Sequence, residues 1–181
     1  ERVLALQRVA DMRKFLLDLY GEQVAGYYDP FKQKFFIASW MDAMSQQPIM
    51  AHELTHALQD QHFNLKPFLT PIPENSDATS ARQAVVEGDA VISMFAFLSG
   101  SSANSTAGVG ERLRSAMTSP LYPVFSGAPP YFQEALFFPY ADGADFISHL
   151  KGTGGFKPVT GIYKDLPRSS EQILHPEKYS T

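Results

Sequence analysis

The sequence predicts a helix-rich α+β single domain with a small antiparallel sheet. Three observations predict it. Apolar residues recur at three- and four-residue steps over residues 1–20, and further stretches bounded by Gly and Pro read as helices. Two short aromatic-rich runs, 24–29 and 34–39, flank Pro30-Phe31-Lys32-Gln33, a β-hairpin pattern. At 181 residues, with no internal repeat and no linker-like boundary, the chain fits one domain able to bury a core.

In chain order, Val3, Leu6, Val9 or Ala10, Phe15 or Leu16, and Leu19 form the apolar stripe of the first helix, with Gly21 as its stop. After the hairpin, Pro48 fits the first turn of a helix running to about His62, with Ser45 or Gln47 near its start. Three prolines (Pro67, Pro71 and Pro73) make 63–75 a loop. Ser76 or Asp77 can cap a long helix through Leu98, ended by Ser99-Gly100. The Ser/Gly/Ala-rich 101–110 reads as a mobile surface loop, followed by a short helix over 111–118 and a Pro-rich segment over 120–130. Residues 131–138 and 141–150 read as two helices separated by Pro139. A glycine break at 152–155, a weak helix over 157–164 and one turn near 171–174 complete the chain.

The bulk properties narrow the function classes. The chain is 44% hydrophobic and 19% charged, with a formal net charge of −4 and a pI of about 5.7. That balance argues against a nucleic-acid or acidic-lipid surface. No apolar run approaches the ~20 residues of a membrane span. Without cysteine there is no disulfide framework, thiolate metal site or Cys nucleophile, so a metal must be held by His and carboxylate. The chain starts at Glu1 without an initiator Met and reads as a processed or trimmed segment, compatible with an extracytoplasmic location.

The decisive motif is His52-Glu53-Leu54-Thr55-His56, an H-E-x-x-H sequence inside a predicted helix. Residues i and i+4 share a helix face, so His52 and His56 can present two imidazoles to one metal. Glu53 is offset around the helix but within reach of a water on that metal. Zinc lowers the pKa of such a water to about 7, where a carboxylate can take its proton.

A hydrolytic zinc site takes three protein ligands and keeps one position open. The best third candidate is Glu87, a carboxylate in the apolar stretch Ala84-Val85-Val86-Glu87-Gly88-Asp89-Ala90, where burial is costly unless a partner or a metal is present. Gly88 in a helix interior suggests that something approaches the backbone there. The alternative is that Glu87 and Asp89 form a solvated stripe. Asp60, four residues after His56, is the better candidate to orient a zinc-bound imidazole, against an exposed acid as the alternative. His62 marks a helix C-terminus, and His149 reads as a surface residue. His175, backed by Pro176, is a candidate oxyanion donor, as is a tyrosine; a surface turn is its alternative.

Four segments in order, G-Y-Y-D-P at 26–30, I-M-A-H-E-L-T-H-A-L-Q-D-Q-H-F at 49–63, V-V-E-G-D-A at 85–90 and S-S-E-Q-I-L-H-P-E-K-Y at 169–179, resemble a little-characterised prokaryotic H-E-x-x-H family of gluzincin type. The resemblance spans nearly the whole chain. It implies a zincin-like fold with the hairpin beside the active-site helix, one zinc per chain held by His52, His56 and Glu87, and Glu53 as general base. It also implies that His175 faces the active site. Zincins pair an extended substrate with a strand beside that helix, a role for the hairpin over 28–39. One departure stands out: thermolysin-like gluzincins place an Asp four residues after the third ligand, and this chain has Val91 there.

The expected function is a zinc-dependent peptidase acting on peptide or protein substrates. The alternative is a non-catalytic zincin fold that binds peptides or proteins; retention of Glu53 counts against it. A purely structural zinc site would need a fourth ligand, and none suggests itself nearby.

Overall fold

Helix α4 (Ser76–Leu98) is the central element, and its sequence explains why. Ala78, Ala81, Ala84, Val85, Val86, Ala90, Val91 and Ile92 are all buried, so the helix is apolar around most of its circumference. The structure, a computed structural model, describes residues 2–100, 106 and 108–179. The other helices among these residues are α1 (Arg2–Gln23), α2 (Ala43–Phe63), α3 (Lys66–Leu69), α5 (Val109–Met117), α6 (Pro123–Ser126), α7 (Pro130–Phe137), α8 (Gly143–Gly154), α9 (Phe156–Ile162) and α10 (Ser170–Leu174). A π-helical segment, Phe138–Asp142, joins α7 to α8. The sheet is one antiparallel pair, β1 (Gly26–Asp29) and β2 (Lys34–Ile37), with Gly26 opposite Ile37 and Asp29 opposite Lys34. The helix-rich α+β class is therefore as expected, and the hairpin lies against α2.

The larger core surrounds α4. Leu65, Phe68, Val85, Ile92, Phe146 and Ile147 are among its buried members. α4 crosses α8 very closely: a Cβ on Gly88 would collide with the Gly143 carbonyl, and a Cβ on Gly143 with the Ala84 carbonyl oxygen. This is the close approach that Gly88 suggested. A second, smaller core joins Leu19 of α1 to Phe125, Ala128, Phe137 and Ala141. Glu22 ties the two ends together by accepting from the Val124 and Phe125 backbone N–H groups at 3.0 and 2.8 Å.

Several boundaries differ from the expectations. Gly21 does not stop α1, which continues to Gln23. α2 starts at Ala43, because Asp42 accepts from the Met44 and Ser45 backbone N–H groups; Pro48 lies inside the helix. Asn75, rather than Ser76 or Asp77, caps α4 by accepting from Ala78 N. The loop at 63–75 contains α3, and the Pro-rich 120–130 contains α6. Most of 101–110, expected as a loop, lies outside the described residues. Pro139 stands between two α-helices, α7 and α8, as expected, but within a π segment that joins them and not at a break. It lacks an N–H, so the α-helical ladder fails there, and the chain passes through a π turn instead of breaking.

Candidate metal centre

α2 and α4 lie side by side and bring the expected ligands together. His52 and His56, one turn apart on α2, turn their Nε2 atoms towards each other at 3.0 Å. The Glu87 Oε2 from α4 lies 3.1 Å from His52 Nε2 and 3.2 Å from His56 Nε2. All three side chains are largely buried. Without a metal, Glu87 Oε2 accepts from the imidazoles, but two neutral imidazoles share at most one proton between the facing Nε2 atoms. A tetrahedral ion holding N and O donors at about 2.0–2.2 Å sets them about 3.3–3.6 Å apart, a few tenths of an ångström wider than the cluster stands here. The donor set His52, His56 and Glu87 therefore fits a divalent metal ion.

His56 is fixed for that role by its own partners. Its Nδ1 lies 2.8 Å from Gln59 Oε1. The amide cannot be turned round, because Gln59 Nε2 faces two acceptors, the Val86 carbonyl at 3.1 Å and Asp89 Oδ2 at 3.0 Å. Gln59 thus presents its oxygen to His56, Nδ1 carries the proton, and the Nε2 lone pair is left for a metal. Asp89 also accepts from the Tyr163 hydroxyl at 2.6 Å. Tyr163 is stacked on Phe63 with ring centroids 4.1 Å apart. Asp89 is therefore neither an exposed stripe residue nor idle.

Asp60 does different work from that expected. It is buried and accepts from the Tyr28 hydroxyl at 2.9 Å and from Leu65 N at 2.9 Å. It pins the hairpin to the end of α2. Burial and the bond to Asp60 push the Tyr28 phenol up to about 12. Val91 is buried, and the side chains that support the His56 imidazole are Gln59 and, behind it, Asp89.

Glu53 is buried beside the cluster. Its pKa is raised by burial, against the pull of His52 and His56 and of a Tyr28 backbone N–H; Glu87 raises it further. Gly26 lets β1 approach this closely, since a Cβ there would stand 2.7 Å from Ile49 Cγ2 and 3.6 Å from Glu53 Cγ.

A tyrosine that sequence reasoning did not single out completes the site. Tyr140 lies in the π segment, its ring 6.1 Å from that of His52. The negative charge of Glu87, then burial, then Glu53 raise its pKa, so the hydroxyl stays protonated and able to donate. Arg114 of α5 holds this segment through Asp142 at 2.7 Å and lies over the Phe137 ring, 4.8 Å from its centroid. The π turn is its one signal in the sequence, through Pro139. His175 is not brought to the cleft. It is half-exposed at the end of α10, with Glu177 Oε1 3.7 Å from its Nδ1. His149 is exposed, and His62 lies in the last turn of α2, as expected.

The cluster opens into a cleft of about 610 Å³ between the hairpin and the helices α4, α5 and α7. No helix among the described residues is long and apolar enough to cross a membrane. Comparison of the chain with protein families, with curated proteins and with solved structures finds no match.

Proposed function

We propose that the protein is a zinc-dependent peptidase of the gluzincin type, with one zinc per chain. The observation that carries this reading is the convergence of His52 Nε2, His56 Nε2 and Glu87 Oε2 to within 3.0–3.2 Å of one another, with the Glu53 carboxylate buried alongside. Zinc held by these three residues would supply Lewis acidity and an acidified water.

The residues of the chain divide the remaining work. Glu53 takes a proton from the attacking water and delivers it to the leaving amine. Its raised pKa brings it closer to neutrality than an exposed glutamate, as a group that must both accept and return a proton requires. The Tyr140 hydroxyl, rather than His175, is the donor placed to steady the developing oxyanion. Gln59 keeps the His56 tautomer fixed throughout. The hairpin, tied to α2 through Tyr28 and Asp60, forms the wall of the substrate cleft.

The test is metal analysis together with digestion of an unbiased peptide library by the wild-type protein and Glu53→Gln. The reading requires about one zinc per chain in both, and cleavage by the wild type alone. Equal turnover by Glu53→Gln would remove the mechanism. Zinc bound without cleavage by either protein would leave a peptide-binding module.

A further inference from the structure

We infer that the cleft admits a large apolar side chain next to the metal and excludes charged groups, so that the peptidase cuts within apolar peptide segments and does not trim charged termini. This rests on the peptidase reading above. Helix α4 leads directly from the ligand into the cleft: Glu87 is followed at i+4 by Val91 and at i+7 by Met94, on one face. Leu113 and Met117, four residues apart on α5, stand with them, and Leu136 and Phe138 contribute from the α7 end. Val91 is fully buried, which makes α4 the floor, whereas Tyr20, Val24 and Tyr27 at the hairpin side are exposed and form the mouth.

Among the described residues lining the cleft there is no Asp, Glu, Lys, Arg or His other than His52, Glu53, His56 and Glu87. Exopeptidases must hold a terminal ammonium or carboxylate; the polar side chains that line this mostly apolar chamber besides those four, Gln23, Ser80, Gln83 and the tyrosines, are uncharged, and a charge brought in without an ionic partner is disfavoured. Here the four charged or ligating groups are committed to the metal and the base. A leucine, methionine or phenylalanine side chain faces no such penalty. The two methionines, unbranched and polarisable, let the chamber adjust between aliphatic and aromatic shapes. A cleft of about 610 Å³ has room for such a side chain with its flanking backbone.

The experiment has two arms on the zinc-loaded protein. In the first, binding of N-acetyl amino-acid hydroxamates that differ only in side chain (Leu, Phe, Ala, Lys, Asp) is measured by calorimetry. The Leu and Phe compounds should bind roughly 10²-fold tighter than Ala, and Lys and Asp no tighter than Ala. In the second, end-blocked peptides carrying the same residues are digested beside their free-ended forms. Blocked and free forms should be cut alike, next to Leu, Met or Phe. Binding that is indifferent to side chain, tightest for Lys or Asp, or absent overturns the inference, as does cleavage that requires a free terminus. Apolar-selective binding with no cleavage of any peptide overturns the peptidase reading alone, leaving the chamber as a ligand site. As a further check, Met94→Glu should reduce Leu binding and improve Lys binding relative to it; an unchanged order of affinities would also overturn the inference.

Discussion

Gln59 holds His56 by one hydrogen bond, Nδ1–H to Oε1 at 2.8 Å, and is itself held by Asp89 and the Val86 carbonyl. On the proposed reading, an amide would do here what a carboxylate does in many zinc sites, with the negative charge moved one residue further out, to Asp89. Gln59→Leu should lower zinc affinity about 10–100-fold. Tyr163→Phe, which removes only the outermost bond to Asp89, should lower it much less. Competition against a chelating dye measures both. Equal affinity in Gln59→Leu and wild type would show that Gln59 does not orient the ligand.

Zinc should stabilise the fold through a clamp between α2 and α4. At a hundredfold excess of free zinc over Kd the melting temperature should rise by roughly 5–10 °C. In Glu87→Ala and in His52→Ala that rise should vanish at the same zinc concentration. A rise that survives in both variants would place the ion elsewhere.

Metal binding should depend on pH with a definite sign. Burial alone would lower the His56 pKa, but the charge and hydrogen bond of Glu87 outweigh it and hold the imidazolium up to about 9. Glu87 is held well below its ordinary range by His56 and His52, despite its burial. The raised pKa means that the stability His56 contributes is complete below its ordinary value of 6.5 and lost as pH climbs through about 9. The depressed pKa means that the Glu87 contribution is complete above 4.5 and lost as pH falls towards the depressed value. Metal-free protein should therefore be most stable between about pH 4.5 and 6.5, and zinc, which must displace the His56 proton, should bind more tightly as pH rises from 6.5 to 9. Calorimetry in buffers of different ionisation enthalpy at pH 7.5 should show net proton release; proton uptake would contradict the pairing.

Tyr140→Phe should keep zinc and fold while lowering kcat by about 10²–10³-fold with little change in KM. His175→Ala should leave both constants unchanged. The opposite pattern would return the oxyanion role to His175.

Gly88→Ala tests the helix crossing. The methyl group would gain about 1 kcal/mol of helix propensity but meet the Gly143 backbone, which cannot rotate aside as a side chain can. Overpacking of this sort costs typically 1–3 kcal/mol, occasionally more. The melting temperature should fall by several degrees, and zinc affinity with it, because Glu87 is the preceding residue. An unchanged melting temperature would show that α4 and α8 can separate freely.

The parts of this site that are local in sequence were legible there. H-E-x-x-H places two candidate ligands and a candidate base by helix periodicity alone, and the apolar surroundings of Glu87 next to Gly88 point to the third candidate. What the sequence hid depends on which faces meet. Asp60 and Gln59 are both within one turn of His56; periodicity cannot choose between i+3 and i+4, and the choice follows from α4 lying on one side of α2 and the hairpin on the other. Tyr140 and Tyr163 are far from the motif and reach it only through α7, α8 and α9. Gly21 and Pro139 read as breakers on local propensity alone, yet tertiary contacts of Leu19 and Glu22 carry α1 onward, and those of Arg114, Phe137 and Ala141 join α7 to α8 through the π segment.

The π turn at Phe138–Asp142 has a further consequence, one of phase. Such a turn bonds i to i+5 and so holds one residue more than the α-helical ladder around it. Each residue of an α-helix advances the chain by about 100° around its axis. Deleting Ala141 or Asp142, which follow Tyr140, would bring α7 and α8 into one α-helical phase, and the part before the deletion, Tyr140 included, would swing by about that angle against the part after it. With Gly143 locked in the notch of Gly88, the swing would fall on the Tyr140 side and carry the phenol off the ligand cluster. One surplus residue thus aims the hydroxyl, and a helix that looks better on paper would turn it away from His52, His56 and Glu87.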